Sequence, residues 1–154
     1  MFTAKIYDGR MCNHAPYIYC VLSNQFNCIY IGQTISQLGS LGRLAQHLSN
    51  TNSNTFIQRI CSVNNFDEVI LNDIDFFASK LPEKTPFLSR ATDYREAVEY
   101  LINYGVINSL KEKSINLSVI SRTKSNAYTK LDSIKKLAEN ITCSIVDWIV
   151  ANMI

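Results

Sequence analysis

Two short aromatic and β-branched runs near the beginning of the chain constrain its fold most strongly. The first run spans residues 16–22 and the second spans 28–33, and both have the composition of buried strands. The polar residues 24–27 between them are typical of a turn. Two such runs joined by a short polar stretch predict a β-hairpin.

The hairpin places four residues on one face of the predicted sheet. Side chains alternate along a strand, so Tyr17 and Tyr19 share a face, as do Tyr30 and Gly32 on the partner strand. Antiparallel pairing brings Tyr19 and Tyr30 together. Because Gly32 has no side chain, we expect a substrate backbone to approach the sheet closely there. Taken alone, the tyrosines are equally explained as good strand formers.

A helix predicted directly after the hairpin carries two further polar residues. Arg43 and His47 are four residues apart, so they share one face of the helix, which we expect to lie opposite its apolar residues. A guanidinium and an imidazole beside a glycine suit phosphate binding. A solvated helix face explains the same pair equally well when it is considered alone. The helix is predicted from the spacing of Leu41, Leu44, Ala45 and Leu48.

The remaining pattern predicts alternating helices and short extended pieces. Gly105 is expected to end or bend the longest of the middle helices. The predicted elements are a helix over 56–63, a strand within 66–76 centred on 69–71, a loop over 80–90, a helix from 92 or 93 to about 104, a helical stretch over 106–113 and an extended piece over 115–120.

The last segment is predicted to be a long amphipathic helix that either packs on its own domain or pairs with a second copy of the chain. We therefore divide the chain into a domain over 14–120 and a helical extension over 121–154. The apolar stripe consists of Leu131, Ile134, Leu137, Ala138, Ile141, Ile145, Trp148 and Ile149.

Composition adds only mild constraints. A formal net charge of +2 is too small to argue for a nucleic acid partner. Residues 111–136, however, contain seven basic residues against two acidic ones, so they form either a solvated face or a basic side that meets phosphate. Five cysteines are not a disulfide framework, no signal-peptide pattern is visible, and the apolar tail over 141–154 is too short to span a bilayer. We expect a cytoplasmic protein without membrane contact.

The order of the motifs resembles the GIY-YIG nuclease family. The chain has Tyr17-Ile18-Tyr19, then ten residues, then Tyr30-Ile31-Gly32, then the Arg-x-x-x-His pair at Arg43 and His47. The family usually has glycine where this chain has Tyr17, but that position is tolerant. The resemblance covers about residues 16–116. It implies an α/β (α+β) fold, with a small central antiparallel sheet of about three strands flanked by helices, plus the C-terminal helix.

The resemblance also implies two residues in the second half of the chain. The family binds its metal through a glutamate that an aliphatic residue follows three positions later. Glu96 and Glu99 are both candidates, and Ile102 meets this requirement for Glu99. Asn116 resembles an asparagine that the family often has near the end of its domain.

The implied function is a divalent-metal-dependent endonuclease that hydrolyses phosphodiester bonds, most often in DNA, in a restriction, mobile-element or repair role. Glu99 would hold Mg²⁺ or Mn²⁺, and Arg43 would stabilise charge on the phosphate. Tyr19 would accept the proton of the attacking water, with His47 as the rival base, and Tyr30 would position phosphate or water.

Three further residues, Tyr17, Gly32 and Asn116, would contact substrate, which the resemblance implies is double-stranded DNA. A homodimer formed through the last helix is a further expectation. A non-catalytic nucleic-acid-binding module that keeps the nuclease fold is the alternative reading.

Overall fold

The computed structural model describes residues 8–49, 54–89 and 91–153. Its strands are β1 (Tyr17–Ser23), β2 (Cys28–Thr34), β3 (Asp75–Lys80) and β4 (Ser118–Val119). Its α-helices are α1 (Gly39–Leu48), α2 (Thr55–Asn64), α3 (Thr85–Leu88), α4 (Asp93–Glu112) and α5 (Asp132–Asn152), and two short 3-10 helices span Gly9–Cys12 and Ala127–Lys130.

The four strands form one sheet in the order β3-β1-β2-β4. The predicted hairpin of β1 and β2 lies at its centre, and β3 pairs antiparallel with the other side of β1. The short β4 runs parallel to β2 and pairs only with Cys28 and Ile29. Within the described residues, no strand pairs with the outer edge of β2 beyond that point, although Ser121 Oγ accepts a hydrogen bond from the Ile31 N–H there. We call this part of the sheet, which lacks a strand partner, the open edge.

Alternation along the hairpin divides the core between the two faces of the sheet. Ile18, Cys20 and Leu22 of β1 belong to the same buried cluster as the apolar residues of α4 and α5. Tyr19 and Val21 belong to a second cluster, on the opposite face, which α2 completes with Phe56 and Ile60. Each face of the sheet is thus covered by helices.

The predicted fold class is confirmed, since helices flank a small mixed sheet and a long helix ends the chain. The third strand, however, lies later than predicted, at β3. Residues 69–71 are irregular, and Ile70 is 75% exposed. Gln25 holds this segment instead, because its amide donates to the Ile70 carbonyl and accepts from the Asn72 backbone N–H.

Two other boundaries differ from the predictions. The loop expected over 80–90 contains the short helix α3, and residue 90 lies outside the described residues. The two helices expected around Gly105 form the single helix α4. Gly105 faces α5, where an added Cβ would come within 2.9 Å of Thr142 Cγ2. The glycine thus allows close helix packing and does not end the helix.

Helix α5 packs along α4 and buries its apolar stripe in the core that it shares with β1 and β2. The buried positions recur at helical spacing, at Ile134, Ala138, Ile141, Ile145 and Ile149. None of the helices in the described ranges is long and apolar enough to cross a bilayer.

The close packing at Gly105 is testable by substitution. We expect Gly105→Val to lower the free energy of unfolding by about 1–3 kcal/mol, because the added methyl groups collide with Thr142. Thr142→Ala in the same chain removes the colliding atoms and should recover part of the loss. Urea denaturation of both variants measures the effect, and equal stability of Gly105→Val and the wild type would contradict this packing.

Candidate active site

The hydroxyl group of Tyr19 is the centre of a buried polar cluster at the open edge of the sheet. Tyr19 Oη lies 2.7 Å from His47 Nε2, and Arg43 Nε donates to the same oxygen at 3.3 Å. The ring of Tyr30 stacks on Tyr19, with 6.3 Å between the ring centroids. Strands β1 and β2 and helix α1 thus bring together four of the residues that the motifs predict.

Hydrogen bonding fixes the tautomer of His47. The backbone N–H of Phe56, at the start of α2, donates to His47 Nδ1 at 3.1 Å. A ring nitrogen that accepts a hydrogen bond carries no proton, so neutral His47 is protonated at Nε2 and donates to Tyr19. The oxygen of Tyr19 therefore accepts from both His47 and Arg43. Its own proton is directed away from both donors.

The spacing predicts an exposed helix face for His47, and this prediction is wrong. Its side chain is fully buried against the sheet, whereas Ala45 and Leu48 of the supposed apolar face are exposed. Burial is tolerated because both ring nitrogens are hydrogen-bonded. Burial, together with the nearby charge of Arg43, lowers the pKa of His47 to about 3, so the ring stays neutral.

A second arginine belongs to this cluster, and the sequence pattern did not single it out. Arg59 follows Phe56 by three residues on α2, and the ring of Phe56 lies 6.2 Å from that of Tyr30. Burial raises the pKa of Tyr30, and the charges of Arg43 and Arg59 partly oppose this rise. Arg59 becomes recognisable only once α2 is known to cover the tyrosine face of the sheet.

Glu99 approaches the same cluster from α4, on the other side of the open edge. It is partly buried, and its negative charge acts on Tyr19 and Tyr30, while Arg43 acts on Glu99. Burial, and to a smaller extent the charge of Glu96, raises the pKa of Glu99 to about 8. Glu99 is therefore the carboxyl group that interacts with the two tyrosines of this site.

Arg95 fixes the helix that carries Glu99. Only 2% of Arg95 is exposed, and its Nε donates to the side-chain oxygen of Gln33 near the end of β2 at 2.8 Å. Its Nη1 donates to the carbonyls of Phe87 and Ser89. These bonds hold the first turn of α4 against β2, and Glu99 follows one turn later.

Comparison with known families agrees with this geometry. The model of the GIY-YIG catalytic domain matches residues 15–81. This segment belongs to the GIY-YIG family. It contains Tyr19, Tyr30, Arg43 and His47, whereas Glu99 follows after its end. No curated protein and no solved structure matches the chain. Catalytic domains of this family are nuclease domains, which act on nucleic acid.

GIY-YIG nucleases generally depend on a divalent metal, and the residues at the open edge fit such an ion. No group of three His, Cys, Asp or Glu side chains in the described ranges could hold a metal ion, and Glu99 is the carboxylate that acts on Tyr19 and Tyr30. One turn later the buried Asn103 has an amide oxygen without a hydrogen-bond partner in the described structure. A site with a single carboxylate suits Mg²⁺, which keeps several of its waters.

Of the other three predicted contact residues, Tyr17 and Asn116 lie outside this cluster, and Gly32 lies within it but is covered. The hydroxyl of Tyr17 donates to the carbonyls of Arg10 and Asn13. Gly32 is not open to substrate, because the phenol of Tyr19 fills the space where its side chain would be. Asn116 is exposed and precedes β4, beside the first residues of β2. It lies more than about 13 Å along the strand from Gly32.

The contact between Gly32 and Tyr19 generates a stability prediction. A Cβ at Gly32 would lie 2.6 Å from Tyr19 Cζ, and Tyr19 is held by two donors. We expect Gly32→Ala to lower the free energy of unfolding by about 1–3 kcal/mol. Gly9→Ala, where nothing lies within 4 Å, is the control and should change it little. Equal results for the two variants in urea denaturation would refute the tight contact.

The raised pKa of Glu99 predicts a pH-dependent stability. Between pH 4.5 and about 8 the folded chain holds a proton on Glu99 that the unfolded chain releases, so stability falls as pH rises through this window. Gln carries no titrating proton, so the stability of Glu99→Gln should not fall in this window. The variant should therefore gain stability relative to the wild type between pH 4.5 and 8. Thermal unfolding in EDTA measures the difference. Glu96→Gln, at the exposed neighbour whose charge adds to this rise in pKa, should show a smaller gain. Parallel profiles for Glu99→Gln and wild type would contradict the buried carboxyl.

Proposed function

We propose that this protein is a divalent-metal-dependent endonuclease that hydrolyses phosphodiester bonds in DNA. The observation that carries the proposal is the oxygen of Tyr19, which accepts hydrogen bonds from both His47 and Arg43 and lies within electrostatic reach of Glu99. This arrangement places a proton acceptor, a cation that can bind phosphate and a carboxylate that can bind metal together at the open edge of the sheet.

Tyr19 is the general base in this mechanism, and His47 positions it. The two donors stabilise negative charge on the phenol oxygen. Burial and the charges of Tyr30 and Glu99 raise the pKa of Tyr19, whereas Arg43, which donates to its oxygen, opposes this rise and assists proton loss. His47 is unsuited to the role, because Nδ1 already accepts from Phe56 and Nε2 carries the proton.

Two arginines stabilise the phosphate. Arg43 is oriented by its bonds from Nη1 to Gln46 and from Nη2 to Thr55. Arg59 acts from the neighbouring helix, on the side of Tyr30. A guanidinium on each side neutralises the charge that develops on the phosphoryl oxygens as the attacking water bonds to phosphorus.

Glu99 would hold the Mg²⁺ or Mn²⁺ ion, and Asn103 would accept a hydrogen bond from one of the waters around it. When bound, the ion supplies positive charge for the oxygen that leaves. Glu99 must be ionised to bind it, and with a pKa of about 8 the carboxyl group gives up its proton as the metal binds.

We further propose that residues 121–154 complete the domain and do not form a dimer interface. The stripe of α5 that could pair with a second copy is buried against α4, as at Ile141 and Ile145. A compact nuclease of this kind suits a restriction, mobile-element or repair role.

Cleavage of supercoiled plasmid tests the proposed activity. Wild-type protein should nick or linearise the plasmid with Mg²⁺ or Mn²⁺ and not with EDTA. We expect Glu99→Gln and Arg43→Ala each to slow cleavage by at least about 100-fold, since each removes charge stabilisation at the reacting phosphate.

Glu96→Gln is the matched control, because it removes an exposed carboxylate from the same helix and should keep the activity. Full activity in Glu99→Gln would overturn the assignment of the metal ligand. Binding of the plasmid without metal-dependent cleavage would instead support the non-catalytic module.

A further inference from the structure

We infer that the segment 121–126, which we call the strap, is the surface that binds the nucleic acid backbone beside the cleaved bond, through Arg122 and Lys124. This inference rests on the proposed function. It extends that function from the reacting phosphate to the neighbouring phosphates of the same substrate.

The strap is fixed at both ends to the elements that build the site. At its beginning, Ser121 Oγ accepts a hydrogen bond of 2.7 Å from the backbone N–H of Ile31 on β2. At its end, Asn126 Nδ2 donates to the carbonyl of Asp93, the first residue of α4, at 2.8 Å. Asn126 also caps the 3-10 helix that follows, where the ring of Tyr128 lies 4.4 Å from that of Tyr94.

These anchors place the strap beside Glu99. The first turn of helix α4 lies next to Gln33, because Arg95 donates a hydrogen bond to it. The last turns of α4 line a cavity with the residues of β4, and β4 pairs with the beginning of β2. The helix therefore runs opposite to β2. Four helical residues advance about 6 Å and two strand residues about 6.6 Å. Glu99 consequently lies near the level of Ile31, where the strap begins.

The strap presents two cations to solvent. Arg122 and Lys124 are exposed, and the less exposed Thr123 lies between them. Neither forms an ion pair with any residue that the structure describes. Two uncommitted cations at fixed positions can each contact a phosphate without selecting a base sequence.

Salt dependence of DNA binding tests this role. A short fluorescent DNA duplex is titrated with protein in EDTA, where no cleavage occurs, at several salt concentrations. Each phosphate contact contributes about −0.9 to the slope of log K against log salt concentration. The double variant Arg122→Gln, Lys124→Gln should therefore bind with a slope that is smaller in magnitude by about 1.8.

The double variant Lys80→Gln, Lys84→Gln removes the same charge near β3, at the opposite edge of the sheet, and is the matched control. Its slope should equal that of the wild type. Thermal unfolding of both variants should stay close to that of the wild type, since all four side chains are exposed and the exposed ion pair between Lys80 and Glu83 contributes at most about 1 kcal/mol.

Equal slopes for the strap variant and the wild type would overturn the role of the strap while leaving the nuclease proposal in place. Equal reductions in both double variants would also overturn it, because the effect would then reflect net charge and not position. A wild-type protein that shows no salt-dependent binding to the duplex would overturn the strap and the DNA substrate together, whereas plasmid cleavage tests the nuclease separately.

Discussion

The buried hydrogen bond between Tyr19 and His47 is the interaction on which the site depends. It requires the hairpin register that sets Tyr19 opposite Gly32, because only glycine leaves room for the phenol. It also requires α2, whose first backbone N–H groups include the donor from Phe56 that fixes the ring of His47. One polar contact thus ties the hairpin, α1 and α2 together, and this shared dependence explains why the motifs occur as a set.

The second requirement is an opening in the sheet. Tyr19 and Glu99 come from elements on opposite faces of the sheet, so they can act on one substrate only at its edge. The edge of β2 has no strand partner there because β4 pairs with just two residues. Arg95 holds α4 against Gln33 beside this opening. A longer β4 would cover the edge and separate the carboxylate from the phenol.

Much of this arrangement could be predicted from sequence, since strand alternation and motif order identify the hairpin, Arg43 and the glutamate helix. Side-chain periodicity predicts the wrong environment for polar groups that are buried together with their hydrogen-bond partners. The helical spacing predicts a surface position for His47, because its two hydrogen-bond partners lie in other elements. Gly32 is predicted to be open to substrate because the sequence does not show that the Tyr19 side chain covers it. Arg59 has no local signal, and β3 is selected by its partner β1 more than by its own composition.

The most direct measurement of this site is the ¹⁵N NMR spectrum of the histidine rings between pH 5 and 8. The chain has two histidines, and the ring signals of the exposed His14 give a second set for comparison in the same spectrum. The structure predicts that His47 stays neutral throughout, with its proton on Nε2. Titration of His47 in this range, or a proton on Nδ1, would contradict the hydrogen bond that holds Tyr19 in place.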